Sequence, residues 1–211
     1  MKKLDLDYIV SKVVIGPLKG NDARKIYEQV PEALRVNTRY DEATKAVIGS
    51  TNFLVVGIDG VARNYGFRTP NLSDLSLPEV MEFARGKHFI DSRSLVARSR
   101  EDSSWPKNNP LLKTIYELAE QKLGSIRHPF MIEGFSYVPN PEDEKGYGLT
   151  IVPNGDFRVV QNERLGGKYN GQSFSEVDEL GIPRFVGVGN RTWYARRDGL
   201  SRLYLDSDLS L

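Results

Sequence analysis

The chain has 211 residues, and its 29 Lys plus Arg against 28 Asp plus Glu leave a formal net charge of +1, so as a whole it is not a polycation for nucleic acid or a membrane surface. With 39% hydrophobic, 27% charged and 10% aromatic residues it has the composition of a globular protein, long enough to bury a core without disulfides or metal. The absence of cysteine excludes a thiol nucleophile, an iron–sulfur cluster, a cysteine-ligated zinc site and a disulfide framework.

Asp5 and Asp7 interrupt the apolar stretch a signal peptide would need, which leads us to expect a cytoplasmic protein. No run approaches the ~20 apolar residues of a membrane helix, so no membrane partner is expected.

In chain order, Leu4, Leu6 and Tyr8 alternate and Val13 to Ile15 form an apolar run, which reads as a helix entering a strand. Asn21 is placed to cap a helix whose face is Ala23, Ile26, Tyr27 and Val30, and Pro31 ends it. Phe53 to Ile58, then Asp59-Gly60, then Val61 to Phe67 reads as a β-hairpin, because Asp-Gly supplies the positive φ of a two-residue turn. Ser76 and Glu79 form a capping box with Pro78 in the first turn, Val80, Met81 and Ala84 on the apolar side, and Gly86 as the stop. A strand is expected from Phe89 to Val96, followed by a loop from Ser103 to Asn108.

The clearest helix opens with Asn109 as cap and Pro110 in first position and ends before Gly124. Leu111, Leu112, Ile115, Leu118, Ala119 and Leu123 make its apolar stripe, with Lys113, Glu117, Glu120 and Gln121 on the wet face. Beyond His128-Pro129 the pattern turns to short strands: Phe130 to Val138, Leu149 to Val152, Phe157 to Val160, Phe185 to Val188, Thr192 to Ala195 and Ser201 to Asp206. Asn154-Gly155 and Asp198-Gly199 are the expected hairpin turns, and Ser173 to Leu180, with a Ser173/Glu176 capping box, is the one helix of this half.

The fold expected is α+β: a mainly antiparallel sheet covered by three or four helices, with a strand-rich C-terminal half. The change of character places a division near Gly124 to Pro129, giving a mixed domain over 1–126 and a hairpin-rich region over 127–211, which either stands alone or extends the same sheet. Phe53 to Ala62 and Leu149 to Arg158 look alike as strand, Gly turn, strand, a pattern on which unrelated hairpins converge. Leu203, Leu205, Leu209 and Leu211 keep a period of two, as an edge strand would.

Phosphate-binding glycine loops and the Gly-x-Ser-x-Gly nucleophile elbow are absent from the sequence; Gly187-Val188-Gly189 leads into Asn190-Arg191-Thr192-Trp193, a turn between strands. No cofactor is therefore expected. Two histidines cannot build a histidine-rich metal centre; His88 stands at a strand entry three residues before Asp91, and His128 precedes Pro129 at the division. Asp41-Glu42-Ala43-Thr44-Lys45 lacks the strand-borne Glu-x-Lys of metal-dependent nucleases, and Glu142-Asp143-Glu144-Lys145 reads as a solvated loop.

Two segments carry recognition chemistry. Ser92 to Asp102 sets Arg93 and Arg98 among hydroxyls, a combination that suits phosphate or carboxylate, or else a solvated strand face paired with acids. Arg184 to Tyr204 holds five arginines against Asp198, a local charge of +4, interleaved with Trp193, Tyr194 and Tyr204. One functional expectation follows: a non-catalytic binding or assembly module using Arg191, Trp193, Tyr194, Arg196, Arg197, Arg202 and Tyr204, with Arg93 and Arg98, toward a protein, a second copy or single-stranded nucleic acid. The alternative is a metal-dependent hydrolase or nucleic-acid-processing enzyme whose Asp91, Glu101, Asp102 and His88 meet Arg93 or Arg98 in a cleft.

Overall fold

A computed structural model describes residues 4–71, 74, 77, 79–80, 92–97, 110–127, 130–142, 148–162, 172–177 and 183–188. Its first element is a hairpin, β1 (Ile9–Val10) against β2 (Val13–Val14), and not the helix expected before Ile15. The β-branched pairs favour a strand, and Ser11 and Lys12 take the positive φ of 47° and 70° that a two-residue turn requires. Helix α1 (Ala23–Gln29) follows with Asp22, not Asn21, at its N-cap position. Asn21 instead donates to Asp5 Oδ2 at 2.5 Å and accepts from Lys45 Nζ at 2.7 Å, tying three segments together. The helix stops at Val30, whose extended ψ of 132° suits the residue before a proline, and a short 3₁₀ turn spans Glu32–Leu34.

Strands β3 (Arg39–Asp41) and β4 (Ala46–Ile48) form a second hairpin. Asp41 Oδ1 accepts from Thr44 N and Thr44 Oγ1, both at 2.8 Å, and these bonds hold the Asp41 carboxyl below its ordinary pKa. The Asp41 to Lys45 acid–lysine motif is thus a hairpin turn.

The expected hairpin at Phe53 to Phe67 is overturned. Residues Asn52–Arg63 form one continuous helix, α2, with Thr51 Oγ1 capping Leu54 N at 3.2 Å. A short apolar run does not distinguish a core strand from a buried helix, and here the helix is buried almost all round: Phe53, Leu54, Val55, Val56 and Ile58 are each 7% exposed or less. Asp59-Gly60 lies inside this helix, where Asp59 pairs with Arg63 one turn on. Gly57 lies so close to the end of α1 and the 3₁₀ turn that a Cβ would lie 2.6 Å from Val30 Cγ1 and 3.2 Å from Leu34 Cδ1.

Of the helix expected from Ser76, Glu79 and Val80 are helical, and Met81, Ala84 and Gly86 lie outside the described residues. Strand β5 (Leu95–Ala97) pairs antiparallel with β6 (Phe130–Pro139), which pairs with β7 (Leu149–Gln161). Helix α3 (Pro110–Leu123) matches the expected span. It buries Leu111, Ile115 and Ala119 and packs on β7, with Thr150 Oγ1 donating to Thr114 Oγ1 at 3.1 Å, while Leu123, expected in the stripe, is 37% exposed at the helix end.

Asn154-Gly155 is not a hairpin turn. The β6–β7 turn lies between Pro139 and Leu149, closed by Asn140 N donating to the Gly148 carbonyl at 2.7 Å, and β7 runs through both strands expected to flank Asn154. Register partners are Phe135 with Pro153 and Glu133 with Arg158, so residues 154–157 bulge out opposite Gly134 alone. Gly134 has φ of 73°, and a Cβ there would lie 2.2 Å from the Asp156 carbonyl oxygen.

A further antiparallel pair, β8 (Gln172–Val177) with β9 (Pro183–Val188), makes Ser173 to Val177 strand and not the start of the helix expected at Ser173 to Leu180, Phe174 and Val177 standing in register with Phe185 and Pro183; Asp178 to Leu180 lie outside the described residues. Thr192 to Ala195, Ser201 to Asp206, the Asp198-Gly199 turn and the terminal leucines lie outside the described residues. The described part is thus a mixture of helices and small antiparallel sheets, and one core cluster joins Leu4, Ile26, Phe53, Leu111, Phe130 and Ile151. Among the described residues no helix is long and apolar enough to cross a membrane.

The close approach at Gly134 predicts that Gly134→Ala lowers unfolding stability by about 3 kcal/mol or more, since both φ and a backbone clash oppose it. Gly155→Ala, where a Cβ meets nothing within 4 Å, should stay within about 0.5 kcal/mol of wild type in urea denaturation.

Candidate functional site

Asn52, Asp59 and Arg63 are spaced by seven and four residues and lie along one stripe of α2. This polar stripe faces the 68–71 and 92–94 segments and strands β6 and β7, and in and around it stand the buried polar side chains of the described residues: Asn52, Asp59, Thr69, Asp74, Ser92, Ser94 and Glu133.

At its centre Asp59 is 6% exposed. Its Oδ1 accepts from Thr69 N at 2.8 Å and Thr69 Oγ1 at 3.1 Å, and its Oδ2 from Arg63 Nε at 2.7 Å and Arg93 Nη1 at 3.1 Å. Arg63 reaches on to Asp156 Oδ2 at 3.1 Å, joining α2 to the β7 bulge. Burial disfavours the charged Arg63 guanidinium, but its hydrogen bonds and charge attraction to Asp59 and Asp156 outweigh this and raise its pKa. Arg68 and Asp74 form a two-toothed pair at the edge of the seam, and that bond, opposed by burial, likewise raises the Arg68 pKa.

At the α2 N-terminus, Asn52 Nδ2 donates to the carbonyls of Ser92 and Ser94 at 2.9 and 3.3 Å, and Tyr137 Oη donates to Asn52 Oδ1 at 2.7 Å. The Tyr137 ring packs edge-on against Phe53 at 4.7 Å between centroids. Ser94 Oγ donates to Glu133 Oε1, and Arg158 Nε and Nη2 reach Glu133 Oε2 at 2.8 and 2.5 Å. Asn52 therefore sews a segment without helix or strand to both α2 and β6, satisfying backbone carbonyls that burial would otherwise strand.

Arg93 is the one expected site position that falls within the described residues. Its side chain is 13% exposed and turned onto Asp59, and its backbone N donates to the Pro70 carbonyl at 2.9 Å. His88, Asp91, Arg98, Glu101 and Asp102 lie outside the described residues, as do Arg191, Trp193, Tyr194, Arg196, Arg197, Arg202 and Tyr204. Register places Arg184, at the start of the basic segment, opposite Glu176. Among the described residues no three His, Asp or Glu side chains group as a metal site.

A small, partly open pocket between β2, β4 and α2, lined by residues including Leu18, Val47, Leu54 and Ile58, has a volume of about 30 Å³, room for a water or two. In the seam the carboxylate oxygens of Asp59 and Glu133 already accept from arginines, hydroxyls or backbone, and the arrangement braces elements against one another. Sequence reasoning missed Asn52, Asp59, Thr69, Glu133, Tyr137 and Arg158. Two signals pointed to them: the helical spacing of Asn52, Asp59 and Arg63 inside an apolar run, and Glu133 as a lone acid between Ile132 and Gly134.

No protein-family model, no curated protein and no solved structure matches this chain.

Removing one partner of a buried pair leaves the other charge uncompensated, so Asp59→Ala should lower stability by about 3–5 kcal/mol. Arg93→Met in that background should recover part of the loss, whereas Arg63→Ala alone, at a position 41% exposed, should cost about 1 kcal/mol. A double-mutant cycle by urea unfolding measures the coupling; additive losses would dismiss the Asp59–Arg93 pair as a brace.

Proposed function

We propose that this chain is a non-catalytic binding or assembly module whose contact surface is the segment Arg184 to Tyr204, with single-stranded nucleic acid or an acidic protein surface as partner. The observation that carries this reading is charge distribution. Five arginines against Asp198 give the segment +4 in a chain of +1, which leaves −3 for all the rest. Trp193, Tyr194 and Tyr204 add flat faces on which bases stack or protein side chains pack, and guanidinium groups pair with phosphate or carboxylate in the same geometry.

The hydrogen bonds that Asp59 and Glu133 accept from Thr69, Arg63, Arg93, Ser94 and Arg158 support reading these two carboxylates as braces. Arg93 is the one member of the alternative carboxylate and arginine cleft whose side chain is described, and it is engaged with Asp59.

Fluorescence anisotropy with a labelled single-stranded oligonucleotide, together with sedimentation over a range of protein concentration, tests the proposal. Arg196→Ala/Arg197→Ala should weaken oligonucleotide binding and lower the slope of log K against log salt by about 0.7 for each phosphate no longer neutralised. Concentration-dependent assembly abolished by the same pair would assign the surface to protein contact. Binding and assembly both indifferent to the substitutions would remove the segment as the contact surface.

A further inference from the structure

We propose that Asn154 is a site of spontaneous deamidation in the folded protein, with water as co-reactant and a mixture of aspartate and isoaspartate as product. The reaction requires the backbone nitrogen of the following residue to reach the asparagine Cγ, which a regular ladder and a bulky successor both oppose. At Asn154 neither obstacle is present. Asn154 and Gly155 belong to the four residues without a register partner between Pro153 and Arg158, both are exposed, and the space around Gly155 is open. Asn154 Oδ1 also accepts from Asp156 N at 3.0 Å. That hydrogen bond polarises the side-chain carbonyl and stabilises the oxyanion formed as the nitrogen adds.

The steps balance without an oxidant. Gly155 N bonds to Asn154 Cγ and gives its proton to solvent, the Cγ–Nδ2 bond breaks as Nδ2 takes a proton from solvent, and ammonia leaves a five-membered imide. Water then opens the imide at either carbonyl, restoring the ordinary backbone as aspartate or routing it through the side chain as isoaspartate. The new carboxylate lies two residues from Asp156, the partner of Arg63. The isoaspartate product adds a methylene to the backbone of the bulge that Gly134 accommodates. Asp59-Gly60 offers an internal contrast: it has the same glycine successor, but Asp59 is 6% exposed within α2 and both its oxygens accept hydrogen bonds.

The test incubates the full chain at mildly alkaline pH, folded and in urea, and maps peptides by mass spectrometry with enzymatic detection of isoaspartate. Asn154 in the folded protein should lose its amide at a rate within several-fold of that in urea, while the Asp59 peptide gains isoaspartate only in urea. Gly155→Ala, which keeps the melting temperature, should slow the loss at Asn154 by an order of magnitude, because a Cβ hinders the attacking nitrogen. Retention of the Asn154 amide in the folded chain while the chain in urea loses it, or a Gly155→Ala protein that deamidates as fast as wild type, would overturn the proposal.

Discussion

The Asp59 carboxylate is the point through which α2, the 68–71 segment, the 92–94 segment and the β7 bulge are held in one arrangement. It accepts from Thr69, Arg63 and Arg93, and through Arg63 it is linked to Asp156. Removing a carboxylate from water is expensive, and the attraction of a partner repays it only where the remaining lone pairs also find donors. Here Thr69 supplies donors to one oxygen and Arg93, 34 residues on, donates to the other, so a displacement of α2 against either segment leaves a buried charge short of a donor.

Stability has a different source. Phe53, Leu54, Val56, Ile58, Leu111, Ile115, Phe130, Ile132 and Ile151 are buried in one cluster, and fully burying such side chains contributes about 1.5–3 kcal/mol each relative to leaving them exposed. The cluster outweighs the seam many times over, yet apolar contact is non-directional and tolerates sliding. The hydrogen bonds from Asn52 to the Ser92 and Ser94 carbonyls, and from Tyr137 to Asn52, do not. Core and seam thus divide the work of holding α2 in place and of setting where along the sheet it sits. The glycines act with them: Gly57 lets the Val30 side chain press onto α2, and Gly134 lets the bulge carbonyl of Asp156 approach β6.

The legibility of each element followed from how local its cause is. Helix α3 was readable to its ends, because Pro110, the apolar spacing of Leu111, Ile115 and Ala119, and Gly124 all lie within it or at its edge. Strand β6 was readable for a similar reason, as a stretch rich in apolar and aromatic residues that follows Pro129. Asp59-Gly60 and Asn154-Gly155 were misread as hairpin turns, since a dipeptide signal assumes that its flanks are exposed strands seeking each other. In α2 the apolar flanks, Phe53 to Ile58 and Val61 to Ala62, are buried, and in β7 they pair instead with β6 across the bulge. Of the expected site residues Arg93 alone falls in the described part, and its partner Asp59, 34 residues away, could not have been assigned before α2 was known to be a helix.

The sequence by itself determined that this chain folds without thiols, that its helices and strands mix, that α3 exists with the boundaries it has, and that basic and aromatic residues concentrate between Arg184 and Tyr204. These are properties of composition and of side chains within a few residues of one another. Tertiary structure alone decided that the 52–63 run is a helix, that 154–157 is a bulge, and that Asp59 and Glu133 are braces. Each of those outcomes depends on what a segment is buried against, and burial is a property of the assembled core that no local run of residues contains.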